Sequence, residues 1–468
     1  MFVNLSAKIP LRFIVFGILC VASMVSFISR GSMSIVILAM TKPLNASIEL
    51  PNYGKRYDWS AYEQSLVIGS YFWGYIWITL LSGIFAEKYG PKKIAGYSFV
   101  IGSVLSALVP MVAEYVWMVV SIRCLIGLAM GAISPALQAA ISNWAPPDEL
   151  GKFQSVYMAG GIGLVIDWCM SGFIIKHLGW TYSFYITSAL LGLFAIVWFL
   201  IMYDSPSDHP KISTAEKDYI LSRLNATPTK SKPWPPFKSI LLSVPVWALV
   251  FFHFGNIYPM YVFITSVPKY FSDVHQLNIA TVGILSSIPQ LLRFPFSLLF
   301  GAFGDYVLKK EMMSILMARK LFSIITHFLP SAFLIALPFF ADQPFICVAL
   351  MTISLGFSSA ISITSIGNTY DLSPNFATTI FSWMQSIGLT TGFIVPLVVT
   401  HFTKERSSNE EWGYVFVVSA VVSVIGAIIF IMFGSGEVQK WNSVEVIKEA
   451  PIDVKDVPKI EIFRKVES

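Results

Sequence analysis

Three ionisable residues stand inside stretches otherwise too apolar to hold a charge. Arg30 lies deep in the first apolar run, Arg123 opens the run R-C-L-I-G-L-A-M-G-A-I-S-P-A-L-Q-A-A-I-S-N-W-A-P-P, and Asp167 interrupts a third. A charged side chain at membrane depth costs roughly 3 to 15 kcal/mol, so each must face a wet cavity or a partner. Two cations without a neighbouring acid, set beside small residues, suit an anion pathway. For Arg123 the competing expectation is an ion pair elsewhere in the bundle, and for Arg30 snorkelling to the headgroups. Asp167 has two open roles, ion pairing with Arg123 or carrying a proton, because burial and a nearby cation move a carboxyl in opposite directions. A further cation, Arg293, is embedded in a later run.

The elements that must position these groups are membrane helices. The chain has 468 residues, 55% hydrophobic and only 13% charged, well under the charge of a soluble domain. Apolar runs of about 20 residues mark spans, and twelve are expected: 12–38, 62–86, 94–113, 115–141, 154–176, 181–203, 244–266, 278–302, 319–340, 345–366, 375–400 and 413–434. The first is too long for a cleavable signal and is expected to be retained. Basic residues gather on the side of Lys8, Arg12, Lys88, Lys92 and Lys93, which puts both termini in the cytoplasm. The net charge of +5 is thus an orientation signal, not a sign of nucleic acid. Cys20, Cys124, Cys169 and Cys347 all lie in apolar runs, with no disulfide framework or metal spacing. No cofactor is expected.

On this topology Arg30 sits roughly 27 Å above the inner end of its helix and Arg123 roughly 12 Å below the outer surface, depths at which both can meet one anion. Gly127 and Gly131, four apart, allow close helix contact, and Pro135 can kink the fourth span. Ser60 and Glu63 form a capping box at the start of the second. Asn256, Tyr258 and Tyr261 are expected to line the cavity from the seventh span, with Pro259 able to break it and His253 a packing residue. Asn45 begins a glycosylation sequon on the outer side.

The chain divides into a first half over 1–203, a cytoplasmic linker over 204–243, a second half over 244–434 and a charged tail over 435–468 that is expected to be disordered. Ser213 caps a short linker helix. Gly83 to Lys93 reads as a tight basic loop in which Glu87, Gly90 and Lys92 latch helix ends. Gly301 to Lys320 repeats it in the second half, with Asp305 expected to pair with Arg319 or Lys320. Repeated halves around a central site are what alternating access needs.

The loop Gly83 to Lys93 resembles the signature loop of the major facilitator superfamily, with Glu87 at its usual aspartate. The further stretches Y-D-W-S, F-W-G-Y-I, N-W-A-P-P-D-E, D-H-P-K-I-S, N-T-Y-D-L-S-P and F-G-S-G-E-V-Q-K-W are similar to one branch of it. That branch holds sialin, the vesicular glutamate transporters and the type I sodium–phosphate cotransporters. The resemblance implies an all-α, twelve-helix membrane fold in two six-helix halves. It also implies secondary transport of a small organic anion or phosphate, coupled to protons, sodium or membrane potential. Arg30 and Arg123 fall at the branch's first-helix and fourth-helix arginines, which makes them the expected anion clamp. Ile126 and Met130 replace the fourth-helix acids of sialin-like members, Ile68 a second-helix histidine and Asn256 a seventh-helix arginine of the glutamate carriers. Proton coupling by the sialin route is therefore not expected, and coupling is left to Asp167 as a candidate, to sodium or to the membrane potential alone. The alternative is a non-transporting solute sensor on the same fold; an enzyme is not expected. The tail shows no acidic dileucine signal, favouring the plasma membrane over lysosomal or vesicular membranes, and a monomer is the expected state.

Overall fold

The computed structural model describes residues 10–41, 52–146, 149, 153, 156–225, 235–373 and 376–442. Among them there are helices and no strands. The first half contains α1 (Leu11–Met40), α2 (Ala61–Tyr89), α3 (Pro91–Val112), α4 (Val116–Gly131), α5 (Ile133–Trp144), α6 (Val156–Leu178) and α7 (Trp180–Ile201). Two short helices follow, α8 (Thr214–Asn225) and α9 (Phe237–Leu241). The second half contains α10 (Val244–Thr265), α11 (Val267–Asp273), α12 (Ile279–Lys309), α13 (Ile315–Ala336), α14 (Pro344–Ser358), α15 (Gly367–Leu372), α16 (Ala377–Leu389), α17 (Thr391–Thr403) and α18 (Asn409–Phe433).

Among the described residues, eleven helical stretches are long and apolar enough to cross a membrane. The remaining expected span, α2, is a continuous 29-residue helix packed between α4 and α17. This is an integral, multi-pass membrane protein. Large apolar side chains face lipid along the outside, Trp77, Leu200 and Phe345 among them, while small and polar residues are kept for contacts between helices.

The breaks in the helices have local causes. Pro135 has no N–H for the carbonyl of Gly131, and the long fourth span parts there into α4 and α5. Thr79 Oγ1 donates to that freed carbonyl at 3.3 Å. Ser60 caps α2 with the expected reciprocal bonds to Glu63. A five-residue π turn at Ser362–Ile366 joins α14 to α15.

Several sequence boundaries need correction. Residues 83–89 are not a loop: α2 runs to Tyr89, and the turn into α3 is Gly90 alone, at φ +88°. Likewise α12 continues to Lys309 and includes Asp305, because a helix gains a backbone hydrogen bond per added residue even past the lipid edge. The tail is ordered at its start: Gln439 N–H donates to Leu372 O at 2.9 Å and Ser373 Oγ to Asn442 Oδ1 at 2.7 Å. Asn45 lies outside the described residues.

The two halves touch at the end away from the termini. Thr400 Oγ1 donates to Ala61 O at 3.1 Å, and Cys169 Sγ meets Ser287 Oγ at 3.4 Å. Glycines permit the close approach: a Cβ at Gly172 would stand 2.9 Å from Ile279 O, and one at Gly69 would stand 3.2 Å from Phe393 Cα.

Candidate functional site

Close packing of α2 on α4 builds the site. A Cβ at Gly127 would strike the Tyr71 carbonyl, and one at Gly131 would stand 2.8 Å from the Tyr75 carbonyl. The two glycines singled out by their spacing therefore seat α2 so that Tyr71 lies beside Arg123 and Tyr75 beside Arg30. The Arg123 guanidinium lies 5.1 Å from the Tyr71 ring centre, and that of Arg30 lies 6.0 Å from the same ring. Arg30 also packs on Tyr75 at 4.5 Å and Phe27 at 4.4 Å.

Both arginines are buried, at 8% and 2% exposure, so Arg30 does not snorkel to the surface. No carboxylate among the described residues lies within 4.0 Å of either. Arg30 Nε, Arg123 Nε and Tyr71 Oη have no hydrogen-bond partner among the described residues. Cation–π contact, worth about 2 kcal/mol when desolvated, offsets only part of the cost of burying each charge. The arrangement is a donor-rich, electropositive cluster of two guanidinium groups about one tyrosine ring.

Asp167 is fully buried against α1. A Cβ at Gly31 would stand 3.0 Å from Asp167 Oδ2, which puts the carboxylate one residue from Arg30 in the chain. Oδ2 has no partner, while Oδ1 accepts from Ser171 Oγ at 3.3 Å. Asp167 is not ion-paired with Arg123.

The seventh-span residues separate. Tyr261 meets Phe72 edge-on at 5.0 Å and so faces the arginine chamber across the two halves. Asn256, five residues earlier on the helix, turns away: its Nδ2 donates to Ser358 O at 3.1 Å, and it lines a small cavity with Thr326, Ser354 and Ser423. Asn256 therefore does not join Arg30 and Arg123. Tyr258 is buried against Phe254. His253 bonds Gln385 Oε1 at 2.7 Å, the packing role expected of it.

The latch residues find other partners than the sequence suggested. Arg319 pairs with Asp371, Nε to Oδ2 at 2.9 Å and Nη2 to Oδ1 at 3.3 Å, and bonds the Ile363 carbonyl. Asn368 Nδ2 also donates to Asp371 and, at 2.8 Å, to Ser435 O. Lys320 makes no ion pair among the described residues. In the first half the backbone N–H of Lys92 donates to Asp204 Oδ1 at 2.7 Å, and the Lys92 ammonium lies 4.0 Å from the Tyr203 ring centre. The side chains of Glu87 and Asp305 are not among those described, and Gly83 is internal to α2. Sequence reading missed Asp204 and Asp371 as acids. Asp371 carried a signal, the stretch N-T-Y-D-L-S-P; Asp204, the first residue of the linker, carried none.

A family model, Major Facilitator Superfamily, matches residues 19–375. The chain belongs to the Major Facilitator Superfamily. It is 35% identical to human sialin over 83% of this chain and 78% of that protein. It is 32% identical to sodium-dependent phosphate transport protein 3 of Mus musculus, over 88% and 91%. Among solved structures, a bacterial homolog of the human lysosomal transporter Spinster, inward-facing and unoccupied, gives a TM-score of 0.67 at 15% identity, covering 91% of this chain and 97% of its own. The xylose transporter XylE from E. coli in its inward open conformation gives 0.67 at 14%, over 90% and 96%. The superfamily's fold accounts for the two halves, and the family and these relatives are transporters, not enzymes.

Proposed function

We propose that this protein is a secondary transporter of a small organic anion or phosphate, working by alternating access. One observation carries the reading: two buried guanidinium groups from separate helices flank the Tyr71 ring, with no carboxylate among the described residues within 4.0 Å. Phosphate or carboxylate oxygens would satisfy both, as charge-assisted hydrogen bonds to Arg do. The names of the relatives, sodium-dependent phosphate transport protein 3 among them, support an anionic solute.

With twelve spans and cytoplasmic termini, the end where the halves touch is the outer one, and this conformation faces inward. Asp167 is the proposed coupling group, since an unpartnered carboxylate oxygen against Gly31 can gain or lose a proton beside the arginine helix. Membrane potential alone would contribute about 2.3 kcal/mol per charge per 100 mV. The protein is proposed to act as a monomer in the plasma membrane, glycosylated at Asn45.

The test is uptake of labelled phosphate and organic anions into vesicles holding wild-type or Arg123→Ala protein. Loss of saturable uptake is expected; wild-type flux in the variant would overturn the reading.

A further inference from the structure

A polar line runs down one face of α12. Ser286, Gln290, Arg293 and Ser297 follow at steps of four, three and four residues, so they share one side of the helix. Ser286 is 2% and Gln290 5% exposed, yet Ser286 Oγ and Gln290 Nε2 have no hydrogen-bond partner. The hydrogen bond described for Arg293 runs from Nη1 to Met260 Sδ at 2.9 Å, a weak acceptor. No carboxylate among the described residues lies within 4.0 Å of it. Buried donors left open as in Ser286 and Gln290 are costly, and the half-buried Arg293 sets a charge beside them.

The line begins where the halves meet, since the adjacent Ser287 touches Cys169. Its arginine reaches Met260, next in sequence to Tyr261, whose ring faces Phe72. Arg293 is thus near the level of the arginine chamber but on the opposite half. It shares no described neighbour with the pair: Met260 serves one, and Phe27, Tyr71 and Tyr75 serve the other.

We infer that Arg293, Gln290 and Ser286 form a second subsite, supplied by the second half, for an acceptor group at the far end of the transported anion. This rests on the anion-carrier reading above and narrows it. The substrate is then an organic acid with two separated acceptor groups, a carboxylate at Arg30 and Arg123 and a second carboxylate or hydroxyl at Arg293 and Gln290. Inorganic phosphate is too compact to engage both. Binding that bridges the halves also gives the solute a means of drawing them together.

Two measurements test this. In a chain whose four native cysteines are replaced by serine, Gln290→Cys and Arg293→Cys should react with an anionic, membrane-impermeant thiosulfonate in vesicles. Leu291→Cys and Leu292→Cys, on the lipid-exposed side, should not. An unreactive position 293 overturns the subsite whatever the substrate is. In the otherwise native chain, uptake of L-glutamate, gluconate and inorganic phosphate is compared. The organic acids should be preferred, with Arg293→Gln raising their KM roughly tenfold or more, as loss of a charge-assisted hydrogen bond does, and Arg293→Lys restoring part of it. Phosphate carried in preference to both organic acids overturns the two-ended substrate. Loss of uptake in Arg123→Ala with wild-type KM in Arg293→Gln overturns the subsite and leaves the clamp standing. Wild-type uptake in both removes the reading beneath it.

Discussion

The Arg123 guanidinium rests 5.1 Å from the centre of the Tyr71 ring. Tyr71 thus does for the buried cation what a carboxylate would do elsewhere, without neutralising it, and the charge stays available to a solute. The account predicts that Tyr71→Phe keeps transport, because the ring face remains. Tyr71→Ala should raise KM by about three- to thirtyfold, the equivalent of a desolvated cation–π contact. Saturation kinetics in vesicles decide it, and equal KM in Tyr71→Ala and wild type would remove the ring from the site.

Asp167→Asn should abolish the pH-dependence of uptake while leaving potential-driven flux in place. The isosteric amide can keep the contact with Ser171 and still fits against Gly31. Persistent pH-dependence in that variant, measured with imposed proton and potassium-diffusion gradients, would place coupling elsewhere.

The Arg319–Asp371 pair is mostly buried, with side-chain exposures of 9% and 14%. Removing one partner of such a pair costs about 3–5 kcal/mol, whereas replacing both costs far less. Arg319→Gln and Asp371→Asn should therefore each lower the thermal midpoint in detergent, and the double variant should regain part of the loss. Additive losses would contradict the pairing.

How much of this was legible in the sequence differs from residue to residue. The spans, the Ser60 cap and the packing role of Gly127 could be read because apolar runs and four-residue spacing are local signals. The direction of Asn256 was not legible because it depends on the rotation of α10 about its axis. Pro259 and the neighbouring α16, α17 and α18 set that rotation, and the sequence does not record it. Asp371 as a partner of Arg319 was hidden for the same reason: position in a repeat located the latch, but only packing brings that acid to it.

His209 gives a pH-dependent contact outside the membrane. It is buried between Trp144 and Tyr203, and burial, then the nearby Lys211, lowers its pKa below the ordinary 6.5. Its contribution to linker docking is present above the unfolded value and is lost as pH falls from there through the folded one. Protection factors of the α8 amides, corrected for the intrinsic pH dependence of exchange, should fall below about pH 6.5, and His209→Gln should flatten that profile. An unchanged profile would separate the linker from His209.

A cysteine at Ser287, facing Cys169 at the contact between the halves, should form a disulfide under mild oxidation. Uptake should stop and then return on reduction, since alternating access must part these helices. Undiminished flux in the cross-linked protein would contradict the cycle.

The central claim, one anion held by both arginines, is tested most directly by a double-mutant cycle on initial uptake rates. The set is wild type, Arg30→Gln, Arg123→Gln and the double variant at matched expression. The account predicts that each single change removes nearly as much transport as both together, because the two groups act on one solute. Losses that simply add, or a single variant at the wild-type rate, would contradict it.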